Sequence, residues 1–215
     1  MDTMIIQSLT GGNMANGRQA VARKSKMAER ARHQQETLFP GYPLEWLWHR
    51  KTNDGYCSLP RTLPIAMQII DSVSKGQPAG HTLFCLWARS PDQPLISIES
   101  PATFAAEAGF QGERAVDTWR RRMKTLKEHA FIDARKGPSG DFHYVLLLNP
   151  NVAVERMKSW NQVQDTLYTR FVDRLLDIGA YGDIEAIRQY WAEVQMASAP
   201  VEVPPPPEAI EKDLT

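Results

Sequence analysis

The chain has 215 residues, of which 42 % are hydrophobic and 23 % are charged. That composition is ordinary for a globular protein and supplies a core without metal or disulfide staples. Lysine plus arginine number 25 and aspartate plus glutamate 25, so the formal net charge is zero and decides neither for nor against nucleic acid.

The two cysteines, Cys57 and Cys85, form no CxxC pair. A zinc site needs closely spaced ligand pairs, so no metal and no other cofactor is expected. Two thiols and no secretory leader fit a reducing cytoplasm. No apolar run approaches the roughly 20 residues that cross a bilayer, so no membrane contact is expected.

The neutral total conceals an uneven distribution. Between residues 18 and 32, Arg18, Arg23, Lys24, Lys26, Arg30 and Arg32 stand against the single acid Glu29. The stretch from Gln111 to Lys136 holds eight basic and four acidic residues, and the C-terminal end reverses sign. Residues 1–36 read as a flexible basic arm with poor apolar periodicity, either a solvated leader or a segment that touches phosphate. From Phe39 to Arg50 the chain turns aromatic, with Pro40, Gly41 and Pro43 as punctuation. There Trp46 and Trp48 are expected to pack onto the domain that follows.

Pro60 to Gly76 reads as a helix, with Leu63, Met67, Ile70 and Val73 at helical spacing and Gly76 near its end. His81 to Arg89 is apolar enough for a short buried helix, closed by the loop Ser90–Pro94. Leu95 to Glu99 is β-branched and alternating, hence a strand. Ser100 and Pro101 then supply an N-cap and a first helical residue, and Gly109 supplies the left-handed stop after Ala108.

A second helix runs from about Glu113 to Ala130. Val116, Trp119, Met123, Leu126 and Ala130 form one apolar stripe. Arg114, Asp117, Arg121 and Lys124 occupy the opposite face, flanked by Arg120, Arg122 and Lys127. A helix docked by one face and basic on the other is what reading of the major groove requires. Phe131 to Ala134 and Phe142 to Leu148 read as paired strands around a basic turn, Arg135 to Asp141: a wing.

The fold expected is mainly α with a small β-hairpin, an α+β winged helix-turn-helix core with extra N- and C-terminal helices. The winged-helix domain with its flanking helices spans 37–180, and the unit itself 95–150. An amphipathic helix at 181–198 carries Ile184, Ile187, Trp191 and Val194. A Pro-rich acidic tail follows at 199–215 and is expected to be extended and disordered. The last helices either brace the domain or make a homodimer.

Little in the chain points to catalysis. There is no GxxxxGK[ST] loop and no GxGxxG, and Gly76–Thr82 has glycines but no lysine. His81 and Cys85 stand four apart, yet in an apolar run Cys85 reads as a buried structural thiol.

The segments Leu59–Pro64, Ile69–Gly76, Leu86–Ser90, Ala108–Trp119, Phe131–Asp133 and Tyr144–Pro150 resemble winged-helix proteins carried by plasmids and other mobile elements of proteobacteria. The resemblance covers a little under half the chain and rests on packing and turn motifs. It implies a non-enzymatic regulator of transcription or replication that binds duplex DNA. The alternative it implies is a fertility-inhibition factor that binds the coupling ATPase of a conjugation apparatus. On the DNA reading the contact residues are Gln111, Arg114, Asp117, Thr118, Arg120, Arg121, Arg122 and Lys124, with Arg135 and Lys136 from the wing.

Overall fold

The computed structural model describes residues 25–197. The arm before residue 25 and the tail from 199 onward lie outside the described residues. The chain divides into two compact units, one holding the described residues up to Leu59 together with Trp87–Gln93, the other holding Pro60–Leu86 and everything from Pro94.

In the first unit, residues 25–38 form helix α1, exposed along its length. The sequence reading gave most of this stretch to the arm for want of an apolar stripe. Its run of Ala, Glu, Gln, Lys and Arg favours helix by propensity alone. A 3-10 turn at Leu44–Trp46 follows. Trp48 meets the Tyr56 ring edge-on at 6.3 Å, and the Arg50 guanidinium lies 5.2 Å over the same ring. Within this unit Trp46 and Trp48 are largely exposed, at 78 % and 66 %.

The second unit carries the rest. Helix α2 (Leu63–Val73) buries Leu63, Ala66, Ile69 and Ile70. Helix α3 (Gly80–Ala88) is capped by Asp71 of α2, whose Oδ1 accepts from the backbone N–H groups of Ala79 and Gly80, both at 2.7 Å. Two otherwise orphaned N–H donors are thereby satisfied by one carboxylate. The approach is close: a Cβ on Gly80 would lie 2.9 Å from Met67 Cβ and 3.0 Å from its carbonyl.

Next come strand β1 (Leu95–Ser97), helix α4 (Pro101–Glu107) and helix α5 (Ala115–Glu128). The α4 cap is as read: Ser100 Oγ accepts from Thr103 N–H, with Pro101 at the first turn. Gly109 and Gly112 take φ of +84° and +80°, which the turn between α4 and α5 needs and side-chain-bearing residues resist. On α5, which is shorter than the expected Glu113–Ala130, Trp119, Met123 and Leu126 are buried and Val116 is half-buried, while Ala130 lies past the helix end with φ of +57° and is half-buried. The Trp119 ring joins Phe104 of α4 at 6.4 Å and Phe142 at 6.0 Å.

Strands β2 (Ile132–Gly137) and β3 (Gly140–Leu147) complete a three-stranded antiparallel sheet in the order β1-β3-β2. Ile96, Val145 and Ala134 stand in register across it and face the core. The hairpin is tighter than the sequence implied. Arg135 to Asp141 was expected as a turn, but β2 continues through Gly137, which pairs with Gly140, and only Pro138 and Ser139 lie between. The reason is local packing. The His143 ring sits against Gly137, where a Cβ would come within 2.3 Å of it. Ser139 Oγ donates to the Ile98 carbonyl and lies 2.8 Å from His143 Nδ1.

Helices α6 (Pro150–Ser159), α7 (Asp165–Ile178) and α8 (Gly182–Ala197) follow. They tie back to the start of the unit. Asn151 accepts from Thr62 Oγ1 at 2.6 Å and donates to Asp183 at 2.9 Å. Phe171 and Leu175 of α7 and Ile184 of α8 are buried, whereas Ile187 and Trp191 of the expected α8 stripe are half-buried and Val194 is exposed. Overall the fold is mixed α+β and mostly helical, with one small sheet.

Candidate nucleic-acid interface

Helix α5 presents its outer ridge because its inner one is committed. With Trp119, Met123 and Leu126 turned inward, a period of 3.6 residues sends Arg114, Asp117, Arg121 and Lys124 to solvent. All four are exposed, as are Gln111 in the preceding turn and Arg120 on the flank. Thr118 is half-buried. Most of the predicted residues therefore share one surface.

Their charges are not equally available. Asp117 pairs with Arg120 at 3.3 Å, one turn on, and Lys124 lies 3.9 Å from Glu128. Exposed pairs such as these are weak, and a competing phosphate can open them. Arg114 and Arg121 form no ion pair among the described residues. The ridge thus holds two uncommitted guanidinium groups set among partly neutralised neighbours.

Arg122 behaves differently. Its Nη1 donates to Gln77 at 2.7 Å and its guanidinium lies 5.7 Å from the centre of the Phe110 ring. Burial, and then the neighbouring Arg121, pull its pKa below the usual guanidinium value. Arg122 braces the turn before α5 against the loop after α2. It does not stand on the outer ridge with Arg121.

The hairpin lies along the flank of α5. Arg120 Nη2 reaches to 4.0 Å from where a Cβ of Gly140 would stand, and Phe142 caps Trp119. Arg135 is exposed but sits in strand β2, not at a tip, and its guanidinium is 2.9 Å from Asp133. Asp133 also holds Lys127 at 3.3 Å, and Lys127 donates to the Ala134 carbonyl at 3.0 Å. The Ala134 N–H, with Lys127 and Arg135 beside it, keeps the Asp133 carboxyl below the usual carboxylate range. Lys136 stands at a register irregularity between Arg135 and Gly137 and is exposed, with no ion pair among the described residues.

One exposed neighbour was not foreseen. Tyr144 of β3 is 42 % exposed and stands directly across from Arg135. Strict alternation along β3, with His143, Val145 and Leu147 inward, carries the signal for it. Elsewhere, Cys85 is buried, 3.8 Å from His81 Nε2 and donating to the Glu107 carbonyl. Among the described residues no three His, Cys, Asp or Glu side chains converge as metal ligands would, and no helix is long and apolar enough to cross a membrane.

No protein-family model, no curated protein and no solved structure matches this chain.

Proposed function

We propose that the second unit is a winged helix and that the protein is a regulator binding duplex DNA through α5 and the β2–β3 hairpin. The order helix, β1, α4, α5, β2, β3 with the sheet arranged β1-β3-β2 supports that reading. The observation that carries it is the exposed α5 ridge on which Arg114 and Arg121 have no acidic partner among the described residues, with Lys136 on the adjoining hairpin. Such groups meet phosphate oxygens and guanine edges. On this reading the protein acts in the cytoplasm and performs no catalysis.

The test is binding of labelled duplex DNA across a salt series. Binding at low salt is expected, with a log–log slope that falls by about one for each phosphate contact removed in Arg114→Ala, Arg121→Ala and Lys136→Ala. Folded protein that retains no duplex at low salt would overturn the reading.

A second reading follows from the same ridge. The Asp117–Arg120 and Lys124–Glu128 pairs give it mixed charge, which suits a protein surface of complementary pattern. Its form is fertility inhibition, with the coupling ATPase of a conjugation apparatus as partner. Capture of that ATPase, and reduced plasmid transfer when the donor expresses the chain, are the outcomes it requires.

A further inference from the structure

The second unit carries a groove remote in composition from the α5 ridge. It has a volume of about 520 Å³ and runs between the α5–β2 turn, the end of β3, α6 and α8. Its walls are mostly apolar, from Ala130, Leu148, Val152, Trp160 and Trp191, with Asn149 and Ser159 beside them. Trp160 is 49 % exposed, and Arg156 lies 4.4 Å over its ring. Arg156 has no ion pair among the described residues. The groove is therefore walled by two indoles, with one guanidinium that stacks on Trp160 and has no acidic partner among the described residues.

We infer that this groove is the docking site for the chain's own segment Pro204–Glu208, held in the same molecule. The chemistry of the two surfaces matches. Consecutive prolines present flat, rigid, preformed apolar faces that lie against tryptophan at little entropic cost. The run Pro204-Pro205-Pro206-Pro207 is followed at once by Glu208, a carboxylate for Arg156. The segment after Ala197 holds Glu202, Glu208, Glu211 and Asp213 against Lys212 alone.

Connectivity argues for this occupant over a foreign proline-rich peptide. Trp191, one wall of the groove, lies on α8, the helix that leads into the segment. Six residues of helix separate Trp191 from Ala197, about 9 Å of rise. Seven further residues reach Pro204, up to about 23 Å of extended chain. The run can therefore double back to the groove. Tethering at that length gives an effective concentration of order millimolar, so even weak docking would be filled from within.

The test uses the full chain with p-benzoylphenylalanine in place of Ala209, irradiated and mapped by mass spectrometry in a mixture of ¹⁴N- and ¹⁵N-labelled protein. Cross-links within one chain onto Val152, Arg156 or Trp160 are expected. They should be lost in Arg156→Glu, an exposed change that leaves the core untouched, and in the variant with Pro204–Pro207 replaced by serine. Both variants are checked for unchanged thermal unfolding. Cross-links that join only different copies, that miss the groove, or that survive both changes would overturn the inference. The DNA reading is unaffected by any of these outcomes.

Discussion

Arg188 of α8 donates through Nε to Glu155 of α6 at 2.6 Å, and the carboxylate it meets is only 7 % exposed. Tyr168 of α7 donates to the other carboxylate oxygen at 2.6 Å and accepts from Arg188 Nη2 at 2.9 Å. One buried acid thus joins three helices. Removing either partner strands a charge that burial makes costly. Arg188→Ala is expected to lower unfolding stability by about 1–3 kcal/mol, between the ranges for exposed and for buried pairs because the arginine is half-exposed. Urea denaturation measures it, and an unchanged midpoint would show that water replaces the guanidinium.

The same cluster predicts a response to alkali. Burial, with the hydrogen bond to Glu155, pushes the Tyr168 hydroxyl up to about 12 from its ordinary value of 10.0. The folded protein holds this proton where the unfolded chain releases it. The contribution is therefore complete below pH 10 and declines as pH rises toward 12. Tyr168→Phe is expected to flatten that part of the stability–pH curve. An equal alkaline decline in the variant would assign the loss to other groups.

Arg121 and Arg122 are adjacent yet should fail differently. Arg121→Ala is expected to weaken duplex retention and leave the melting temperature in place. Arg122→Ala removes the bond to Gln77 and the contact with Phe110, so it should cost about 1–2 kcal/mol of stability. Comparing melting curves and salt-dependent binding for the pair separates the roles. Identical behaviour in both assays would refute the division.

At the hairpin, Ser139 Oγ donates to the Ile98 carbonyl and lies within hydrogen-bond distance of His143 Nδ1, which also accepts from the Ser139 N–H. Ser139→Ala is expected to cost about 1–2 kcal/mol, since two buried groups lose their partner. Gly137→Ala should cost about 1–3 kcal/mol by driving a methyl into the His143 ring. If both variants unfold at the wild-type denaturant midpoint, the ring is free to move and the tight turn has another cause.

Much of the α4–α5 region was legible because its determinants are local. Ser100 and Pro101 start α4, Gly109 and Gly112 permit the turn, and the stripe through Trp119, Met123 and Leu126 fixes which ridge faces out. What escaped the reading depends on distant partners. Arg122 looks like Arg121 until Gln77, 45 residues away, is brought beside it. The turn length hinges on a histidine packing against a glycine, which periodicity does not encode.

Asn151 holds Thr62 with its carbonyl oxygen and Asp183 with its amide. Those partners emerge from the ribosome far apart in time. Until the start of α8 has been synthesised, the Asn151 amide lacks its acceptor and the helices it joins lack their common fastening. The unit is therefore expected to complete its folding late in translation rather than strand by strand. An arrest-peptide force profile should show its main folding signal only after α8 has cleared the exit tunnel, and an earlier signal would show that α8 joins a body already folded.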